Sequence, residues 1–310
     1  MNLNATRQQF QEKTLSKEAY IDAMHAYHAR LFEYAGYLRT SDIASLEIRD
    51  DGVIATYRGT GIKLICDPID KRIGPIETLN FGSYEREEVG LFLGMLGDVH
   101  TLLDIGANIG YYSISAAKAF PRLRIHAFEP MPKTYQYLVR HVALNSVNTV
   151  QTHNLGFSER EEDLTFFYYP EGSGNASTRN LSGASTVSEI VAHVMRLDDF
   201  VTAQGLIVDA IKCDVEGAEL MVFRGGLETL RKNHPIILTE MLRKWSAPFG
   251  YHPNDIIALL RGIGYACFAV QNGRLADFDQ MDESTVETNF FFLYPAAHGE
   301  LIRRFRNRTA

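Results

Sequence analysis

The sequence is poor in cysteine and contains no long hydrophobic run. Its three cysteines, Cys66, Cys213 and Cys267, lie far apart among 310 residues, and no C-x-x-C pair occurs. This argues against a disulfide framework or a cysteine zinc site and favours free thiols in a reducing compartment. No stretch approaches the length of a membrane span, and the first residues lack the apolar core of a signal peptide. We therefore expect a cytoplasmic protein without a membrane span.

The sequence also has fewer basic than acidic residues. The chain has 31 Lys and Arg against 38 Asp and Glu, a formal net charge of -7. A protein that binds nucleic acid through its phosphates needs the opposite balance, so the charge points away from a nucleic-acid partner. Residues 299–310 are locally basic, with arginine at positions 303, 304, 306 and 308, and we expect a solvated C-terminal tail there.

The G-x-G-x-x-G fingerprint of dinucleotide-binding enzymes is absent as well. Residues 101–113, TLLDIGANIGYYS, instead predict a strand, a turn containing Gly106, Asn108 and Gly110, and a helix. Asp104 precedes the first glycine by two residues, where it would repel a pyrophosphate and attract an ammonium group. The pattern therefore favours S-adenosylmethionine, which carries an ammonium and a sulfonium, over a nicotinamide cofactor. The alternative is an ordinary glycine-rich turn between a strand and a helix.

The next two predicted strands add polar residues at the same edge of the sheet. Residues 124–130, RIHAFEP, end in Glu129 and Pro130, and an acid at this place accepts hydrogen bonds from ribose hydroxyls. Residues 149–154 form the following strand, so we include Asn154 and the nearby Gly156 in the predicted cofactor site. The alternative for Glu129 is a solvated carboxylate at a strand end.

Further motifs follow in order along the chain. They are DIGANIGYYS, FEP, Leu144-Asn145, IKCDVEGAEL and the P-x-I-x-x-E run at residues 235–240. Together they resemble the FkbM-type S-adenosylmethionine-dependent methyltransferases over roughly residues 80–295. The resemblance also implies that Tyr84 and Glu85, which precede the first motif, contact the methionine end of the cofactor. The alternative is that Glu85 only favours the first turn of a helix.

The predicted cofactor site combines residues that precede the first motif strand with residues that follow the predicted strands. It comprises Tyr84, Glu85, Asp104, Gly106, Asn108, Gly110, Glu129, Pro130, Asn154, Gly156 and Asp214.

The alternation of strands and helices predicts an α/β domain at residues 81–298 with a doubly wound, mostly parallel sheet. The resemblance implies that this domain is class I methyltransferase-like (Rossmann-like) and that its sheet has seven strands. We expect the last strand, 288–294, to insert antiparallel between its neighbours. Residues 1–80 predict an N-terminal appendage, a lid or an interface, made of a helix and a small β unit. The apolar stripe of that helix, residues 17–38, is either core or the seam of a homo-oligomer.

Three carboxylates are the candidate catalytic residues. Asp214 and Glu240 end two strands that neighbour each other in this fold, and Glu216 opens the helix after the first of them. Methyl transfer to a hydroxyl requires a base or a metal, so we assign Asp214 to acceptor or cofactor contact and Glu216 and Glu240 as candidate bases. The alternative for Glu216 is a carboxylate that only satisfies the free N–H groups of a helix start, and the alternative for Glu240 is contact with the acceptor hydroxyl. If a metal takes part, these three carboxylates are the predicted ligands of Mg²⁺.

The predicted function is S-adenosylmethionine-dependent O-methylation. The resemblance implies a hydroxyl acceptor on a sugar or a polyketide-like natural product, and no residue selects between them. The alternatives are a small-molecule N-methyltransferase and a catalytically silent module that binds S-adenosylmethionine. The long polar stretch within residues 155–187 is expected to be a lid or acceptor-binding loop, with a flexible surface loop as the alternative.

Overall fold

The computed structural model describes residues 2–169, 171, 172, 177, 178 and 188–306. The helices within these residues are α1 (Leu3–Gln11), α2 (Lys17–Tyr37), α3 (Gly74–Phe81), α4 (Arg86–Met95), α5 (Tyr111–Ala119), α6 (Pro132–Leu144), α7 (Leu197–Gln204), α8 (Glu219–Gly225), α9 (Leu227–Asn233), α10 (Arg243–Ser246), α11 (Pro253–Arg261) and α12 (Pro295–Phe305). The strands are β1 (Ile43–Arg49), β2 (Gly52–Tyr57), β3 (Lys63–Cys66), β4 (Thr101–Ile105), β5 (Arg124–Phe128), β6 (Val150–His153), β7 (Gly156–Phe157), β8 (Glu162–Tyr168), β9 (Ser188–Met195), β10 (Ala210–Cys213), β11 (Ile236–Glu240), β12 (Ala266–Gln271), β13 (Arg274–Asp277) and β14 (Asn289–Leu293).

The central sheet has the strand order β13-β12-β14-β11-β10-β4-β5-β6. Strands β11, β10, β4, β5 and β6 pair in parallel, whereas β14 lies antiparallel between β11 and β12. This topology confirms the predicted Rossmann-like class and the inserted last strand. One strand more than predicted, β13, extends the edge by pairing with β12. Its hairpin turns at Asn272-Gly273, both with positive φ, the sequence signal of a two-residue turn.

Two helical layers cover the sheet because its side chains alternate between faces. Leu102 and Ile125 point to one face, where they pack with residues of α4 and α5. Leu103 and Ile211 point to the other face, where α7, α8, α9 and α11 cover them. The strand ends between the two layers are thereby left open to a ligand, as in other doubly wound sheets.

The β unit of the N-terminal appendage is an antiparallel sheet, β1-β2-β3, that is joined to the core through α6. Asn145 exchanges two hydrogen bonds with the backbone of Lys63, at 2.9 and 2.7 Å. His141 accepts the Ile65 N–H at 2.8 Å, and its other ring nitrogen lies 2.8 Å from the carbonyl of Ile109. His141 of α6 and Asn145, which follows the last residue of that helix, thus bind this sheet much as a neighbouring strand would.

Helix α2 forms as predicted but does not contribute to the core. None of its 21 residues is buried, and Leu31 and Phe32 remain 51% and 73% exposed. The core interpretation of its apolar stripe is therefore wrong for α2, which lies on the surface. Its contacts include the Phe10–Tyr20 ring stack with α1 and a hydrogen bond from the Tyr37 hydroxyl to the Leu79 carbonyl. The seam between two copies stays a prediction.

The C-terminal segment departs from the predicted solvated tail. Residues up to Phe305 are helical, because Ile302 is buried and the Phe305 ring packs closely against Gly94 of α4. Residues 307–310 lie outside the described part of the chain.

The loop predicted within residues 155–187 is partly a small sheet. Strand β9 pairs with β7 in parallel and with β8 antiparallel. Residues 173–176 and 179–187, on which the lid prediction mainly falls, lie outside the described residues, so that prediction stays open.

No described helix is both long enough and apolar enough to cross a membrane. The three cysteines are free thiols.

Candidate functional site

A cavity of about 770 Å³ opens at the carboxyl ends of β4, β5, β10 and β11. Its volume falls within the range of small-molecule sites. Ten of the thirteen predicted site residues line it: Tyr84, Glu85, Gly106, Asn108, Glu129, Pro130, Gly156, Asp214, Glu216 and Glu240. The strand ends therefore bring residues from distant parts of the sequence into one cavity.

The glycine turn after β4 is held against the neighbouring strands. The N–H groups of Gly106 and Ala107 donate to the Phe128 carbonyl at 3.0 and 2.8 Å. Gly106 has φ +73°, and a Cβ built on it would lie 1.8 Å from the carbonyl oxygen of Asp214. Only glycine fits here, because the turn passes directly over the end of β10.

Glu129 lies beside this turn, as predicted, and its carboxylate is fixed by backbone donors. It accepts the Asn108 N–H at 3.0 Å and the Met131 N–H at 2.9 Å. Burial raises the pKa of Glu129 to about 7, although these two hydrogen bonds act in the opposite direction. The side-chain oxygen of Asn108 is buried on the same wall without a hydrogen-bond partner among the described residues. An acceptor carboxylate and a free amide oxygen are suited to a ligand with hydroxyl and amino groups.

Glu85 approaches the cavity from the turn before α4. It adopts a left-handed conformation with φ +43°, and its carboxylate accepts the Tyr112 hydroxyl at 2.7 Å. Burial, with repulsion from Asp214 as the next cause, raises the pKa of Glu85 to about 7. Its neighbour Tyr84 packs edge-on against Tyr111, with 5.4 Å between ring centroids. The pair therefore adds one hydroxyl and one carboxylate to the wall.

The predicted catalytic carboxylates form a real cluster. One oxygen from each of Asp214, Glu216 and Glu240 lies within 4.8 Å of the others. Burial, and then repulsion from Asp214, raises the pKa of both Glu216 and Glu240 well above its ordinary value. Glu216 Oε2 is buried and has no hydrogen-bond partner among the described residues, and Glu216 has φ +53°. Strained residues of this kind are concentrated at functional sites.

A buried glutamate that sequence reasoning missed shapes the turn carrying this cluster. Glu219 accepts the N–H groups of Val215 and Gly217 at 3.0 and 3.1 Å, and the Tyr251 hydroxyl at 3.2 Å. A Cβ on Gly217 would lie 2.3 Å from the carbonyl oxygen of Trp245. These contacts hold the backbone on both sides of Glu216.

Lys212 is the other buried charge that the sequence analysis missed. Its ammonium donates to the Gly106 carbonyl at 3.0 Å and to Asp214 Oδ2 at 3.2 Å, and lies 3.9 Å from Asp104 Oδ1. Burial alone would lower the pKa of Lys212, but attraction to Asp214, Asp104 and Glu85 outweighs burial and raises it. Lys212 therefore stays charged and lies behind the wall.

Three predicted cofactor residues do not line the cavity. Asp104 is fully buried below the glycine turn, where its Oδ2 accepts the Ser113 hydroxyl at 2.6 Å. Gly110 faces α6, since a Cβ there would lie 2.6 Å from a methyl carbon of Leu138. Asn154 donates to the carbonyls of Glu129 and the following proline at 2.9 Å. Asp104 therefore lies beneath the turn and Gly110 packs against α6, whereas the exposed Asn154 holds the backbone that follows β5. The predicted direct lining is not seen for these three residues, and their part in cofactor binding stays a prediction.

An apolar wall stands next to the carboxylate cluster and was also missed by the sequence analysis. Its members are Met221, Leu242, Trp245 and Phe249. The ammonium of Lys244 lies 4.5 Å from the centroid of the Trp245 ring. The cavity therefore combines acceptor oxygens with an apolar and aromatic surface.

Comparison with known proteins identifies the family of this chain. Residues 104–267 match the family model described as "Methyltransferase FkbM domain", over half of the chain. The chain belongs to the FkbM methyltransferase family.

Two relatives illustrate how far the likeness to other methyltransferases extends. The chain is 30% identical over 142 residues to Methyltransferase 1 of Beauveria bassiana, covering 40% of this chain and 57% of that protein. It is 26% identical over 206 residues to the 31-O-demethyl-FK506 methyltransferase FkbM of Streptomyces tacrolimicus, covering 57% of this chain and 75% of that one. The match thus spans little more than half the length of the Beauveria protein.

A solved FkbM methyltransferase from Methylobacillus flagellatus KT superposes with a TM-score of 0.41 at 17% identity. The superposition covers 64% of this chain and 45% of that one.

The cavity fits S-adenosylmethionine, the cofactor that FkbM-type methyltransferases use. The Glu129 carboxylate and the unpartnered Asn108 oxygen provide acceptors for hydroxyl and amino groups. The acids around the cavity favour a cationic ligand, and both the ammonium and the sulfonium of the cofactor are cations. The residues present are therefore compatible with this cofactor.

Proposed function

We propose that this chain is an S-adenosylmethionine-dependent methyltransferase that methylates a hydroxyl oxygen of a small molecule. The observation that carries the proposal is the cluster of Asp214, Glu216 and Glu240 in the same cavity as Glu129. A hydroxyl is a poor nucleophile until a base takes its proton. The name of the Streptomyces relative, a 31-O-demethyl-FK506 methyltransferase, supports oxygen as the methyl acceptor.

Residues on the β4 and β5 side of the cavity would hold the cofactor. Glu129 would accept hydrogen bonds from the two ribose hydroxyls, and Asn108 would offer its free side-chain oxygen nearby. Tyr84 and Glu85 would contact the methionine end. When bound, S-adenosylmethionine supplies the electrophilic methyl group, so the chain's own task is to place the acceptor and remove its proton.

The carboxylate cluster would accept that proton. Glu216 Oε2 is available because it has no hydrogen-bond partner among the described residues, and Glu240 lies in the same cluster. A raised pKa makes each carboxylate a stronger base once it is ionised. The neighbouring aromatic wall, with Trp245 and Phe249, suits an acceptor that has an apolar ring face as well as hydroxyl groups. Sugars and polyketide-like natural products have both.

The N-terminal appendage would cover one side of this cavity. Arg72 and Glu77, both within residues 1–80, belong to its wall. Their position supports a lid role for the appendage on the methyltransferase domain at residues 81–298. Helix α2, on which Leu31 and Phe32 are exposed, would remain accessible for contact with a second copy.

Ligand binding tests the cofactor assignment. Titration calorimetry of the purified chain should show binding of S-adenosylhomocysteine and none of NAD. Binding of NAD alone would refute the proposal and favour an oxidoreductase. Binding of S-adenosylhomocysteine without methyl transfer to any hydroxyl or amine in a broad acceptor panel would indicate a catalytically silent module. Transfer to amines alone would indicate an N-methyltransferase.

Glutamine variants test the proton acceptor. With an acceptor from the panel, Glu216→Gln or Glu240→Gln should lower the methyl-transfer rate by about 10²–10⁴-fold, the usual contribution of a general base. Affinity for S-adenosylhomocysteine should change little. Glu228→Gln, at an exposed position in the first turn of α9, is the matched control and should keep the wild-type rate.

The same assay separates a base from a metal site. The three carboxylates could also bind Mg²⁺ through their oxygens, in which case EDTA would abolish activity and added Mg²⁺ would restore it. Full activity of both glutamine variants in the presence of EDTA would contradict a base and a metal alike, and would leave substrate positioning as the origin of the rate.

A further inference from the structure

The ammonium of Lys212 lies between the glycine turn after β4 and Asp214 of the carboxylate cluster. Lys212 belongs to β10, and its side chain is only 8% exposed. It donates to the carbonyl of Gly106 at 3.0 Å and to Asp214 Oδ2 at 3.2 Å. One side chain thus binds the turn after β4 and the first acid after β10.

The glycine turn is held from two directions as a result. On the β5 side, Gly106 and Ala107 donate to the Phe128 carbonyl, and Asn108 donates to Glu129. On the β10 side, the Gly106 carbonyl accepts from Lys212. The two sets of bonds use opposite polar groups of the same turn. Loss of the Lys212 bond would leave this carbonyl without its donor and free the turn to rotate.

We infer that Lys212 is a positioning residue for the cofactor site, which holds the glycine turn and the Asp214 carboxylate in a fixed relation. The inference rests on the proposed function, because the turn and Asp214 form part of the proposed S-adenosylmethionine site. Lys212 does not line the cavity itself, so it acts through Gly106 and Asp214.

Lys212 also has a second neighbour that gives it a structural role. Asp104 is 0% exposed, and its Oδ1 lies 3.9 Å from the Lys212 ammonium without a hydrogen-bond partner among the described residues. A buried carboxylate that loses its counter-charge destabilises a protein strongly. A drop in stability after removal of Lys212 would therefore follow from either role, and the two roles must be separated.

Three variants separate them: Lys212→Met, Asp104→Asn and the double variant that combines both. In each variant and in the wild type, thermal unfolding gives stability, and titration calorimetry gives the affinity for S-adenosylhomocysteine. Lys118→Met, at an exposed position of α5, is the control for loss of a lysine charge.

Lys212→Met should unfold at a lower temperature and bind S-adenosylhomocysteine at least tenfold more weakly than the wild type. The double variant should regain much of the lost stability, because no buried charge at residue 104 is then left unpaired. Its affinity should nevertheless stay at least tenfold below that of Asp104→Asn, since the Gly106 carbonyl and Asp214 still lack their donor. The control should match the wild type in both measurements.

An affinity of the double variant equal to that of Asp104→Asn would overturn the inference and make Lys212 a counter-ion only. If Lys212→Met is not recovered folded, the affinities of the double variant and of Asp104→Asn still decide the question. Neither of these two proteins carries an unpaired carboxylate at residue 104. A folded wild type that does not bind S-adenosylhomocysteine would instead refute the proposed function.

Discussion

The buried imidazole of His141 makes the stability of this protein depend on pH. His141 is 0% exposed, accepts the Ile65 N–H through Nε2 and lies with Nδ1 against the Ile109 carbonyl. Accepting at one nitrogen and donating at the other requires the neutral ring with its proton on Nδ1. Protonation would place two N–H groups face to face and break the bond that joins β3 to α6.

The size of the effect follows from the pKa. Burial lowers the pKa of His141 from its ordinary value of 6.5 to about 4. The unfolded chain therefore binds the proton more readily, and stability falls as pH drops from about 6.5 toward 4. At about 1.4 kcal/mol for each pH unit, the loss amounts to roughly 3 kcal/mol by pH 4 and roughly 2 kcal/mol by pH 5.

Urea unfolding of the wild type and of His141→Gln measures this loss. Glutamine can donate and accept at similar places without titrating, so the variant should lose roughly 2 kcal/mol less than the wild type between about pH 7.5 and 5. Other histidines contribute equally to both proteins and cancel in the difference. His25→Gln, at an exposed position on α2, should follow the wild type. Parallel pH curves for the wild type and His141→Gln would refute the reasoning.

Two further predictions concern Glu129 and Gly106 of the predicted cofactor site. Glu129→Ala should weaken binding of S-adenosylhomocysteine by about 1.5–3 kcal/mol, the range for hydrogen bonds to a charged group, and unchanged affinity in calorimetry would remove Glu129 from the site. Gly106→Ala should lower the unfolding temperature and abolish that binding, because its Cβ would lie 1.8 Å from the Asp214 carbonyl oxygen. Gly59→Ala is the matched control: its φ of +77° is similar, but nothing lies within 4 Å of a Cβ there, so it should cost only about 1–2 kcal/mol in urea unfolding. Equal costs at both glycines would argue against the close contact.

The strand ends were predictable because their signals are local. Glu129 and Glu240 each terminate a short apolar run, and parallel strands place such residues at one edge of the sheet. The left-handed turn at Gly106 follows from its glycine between a strand and a helix. For these residues, periodicity and turn chemistry determine position with little help from the rest of the chain.

Residues whose role depends on distant partners could not be predicted in this way. Lys212 looks like one more strand residue until the fold brings Asp104 beside it. In α6, the apolar Val139 is 40% exposed whereas the polar His141 is buried. The backbone of β3, 76 residues earlier in the chain, supplies the partner that makes a buried histidine favourable there. Periodicity places a residue on a face but does not reveal a hydrogen-bond partner.

Three residues with left-handed backbone conformations, Glu85, Asn108 and Glu216, all line the same cavity. A residue other than glycine in this conformation costs of order 1–3 kcal/mol, somewhat less for asparagine. Selection for thermal stability alone would favour glycine at all three positions and would empty the wall of the side chains that give it chemistry. At this cavity, thermal stability and ligand recognition therefore favour different residues. The carboxylates at residues 85 and 216 indicate that ligand recognition was favoured over stability.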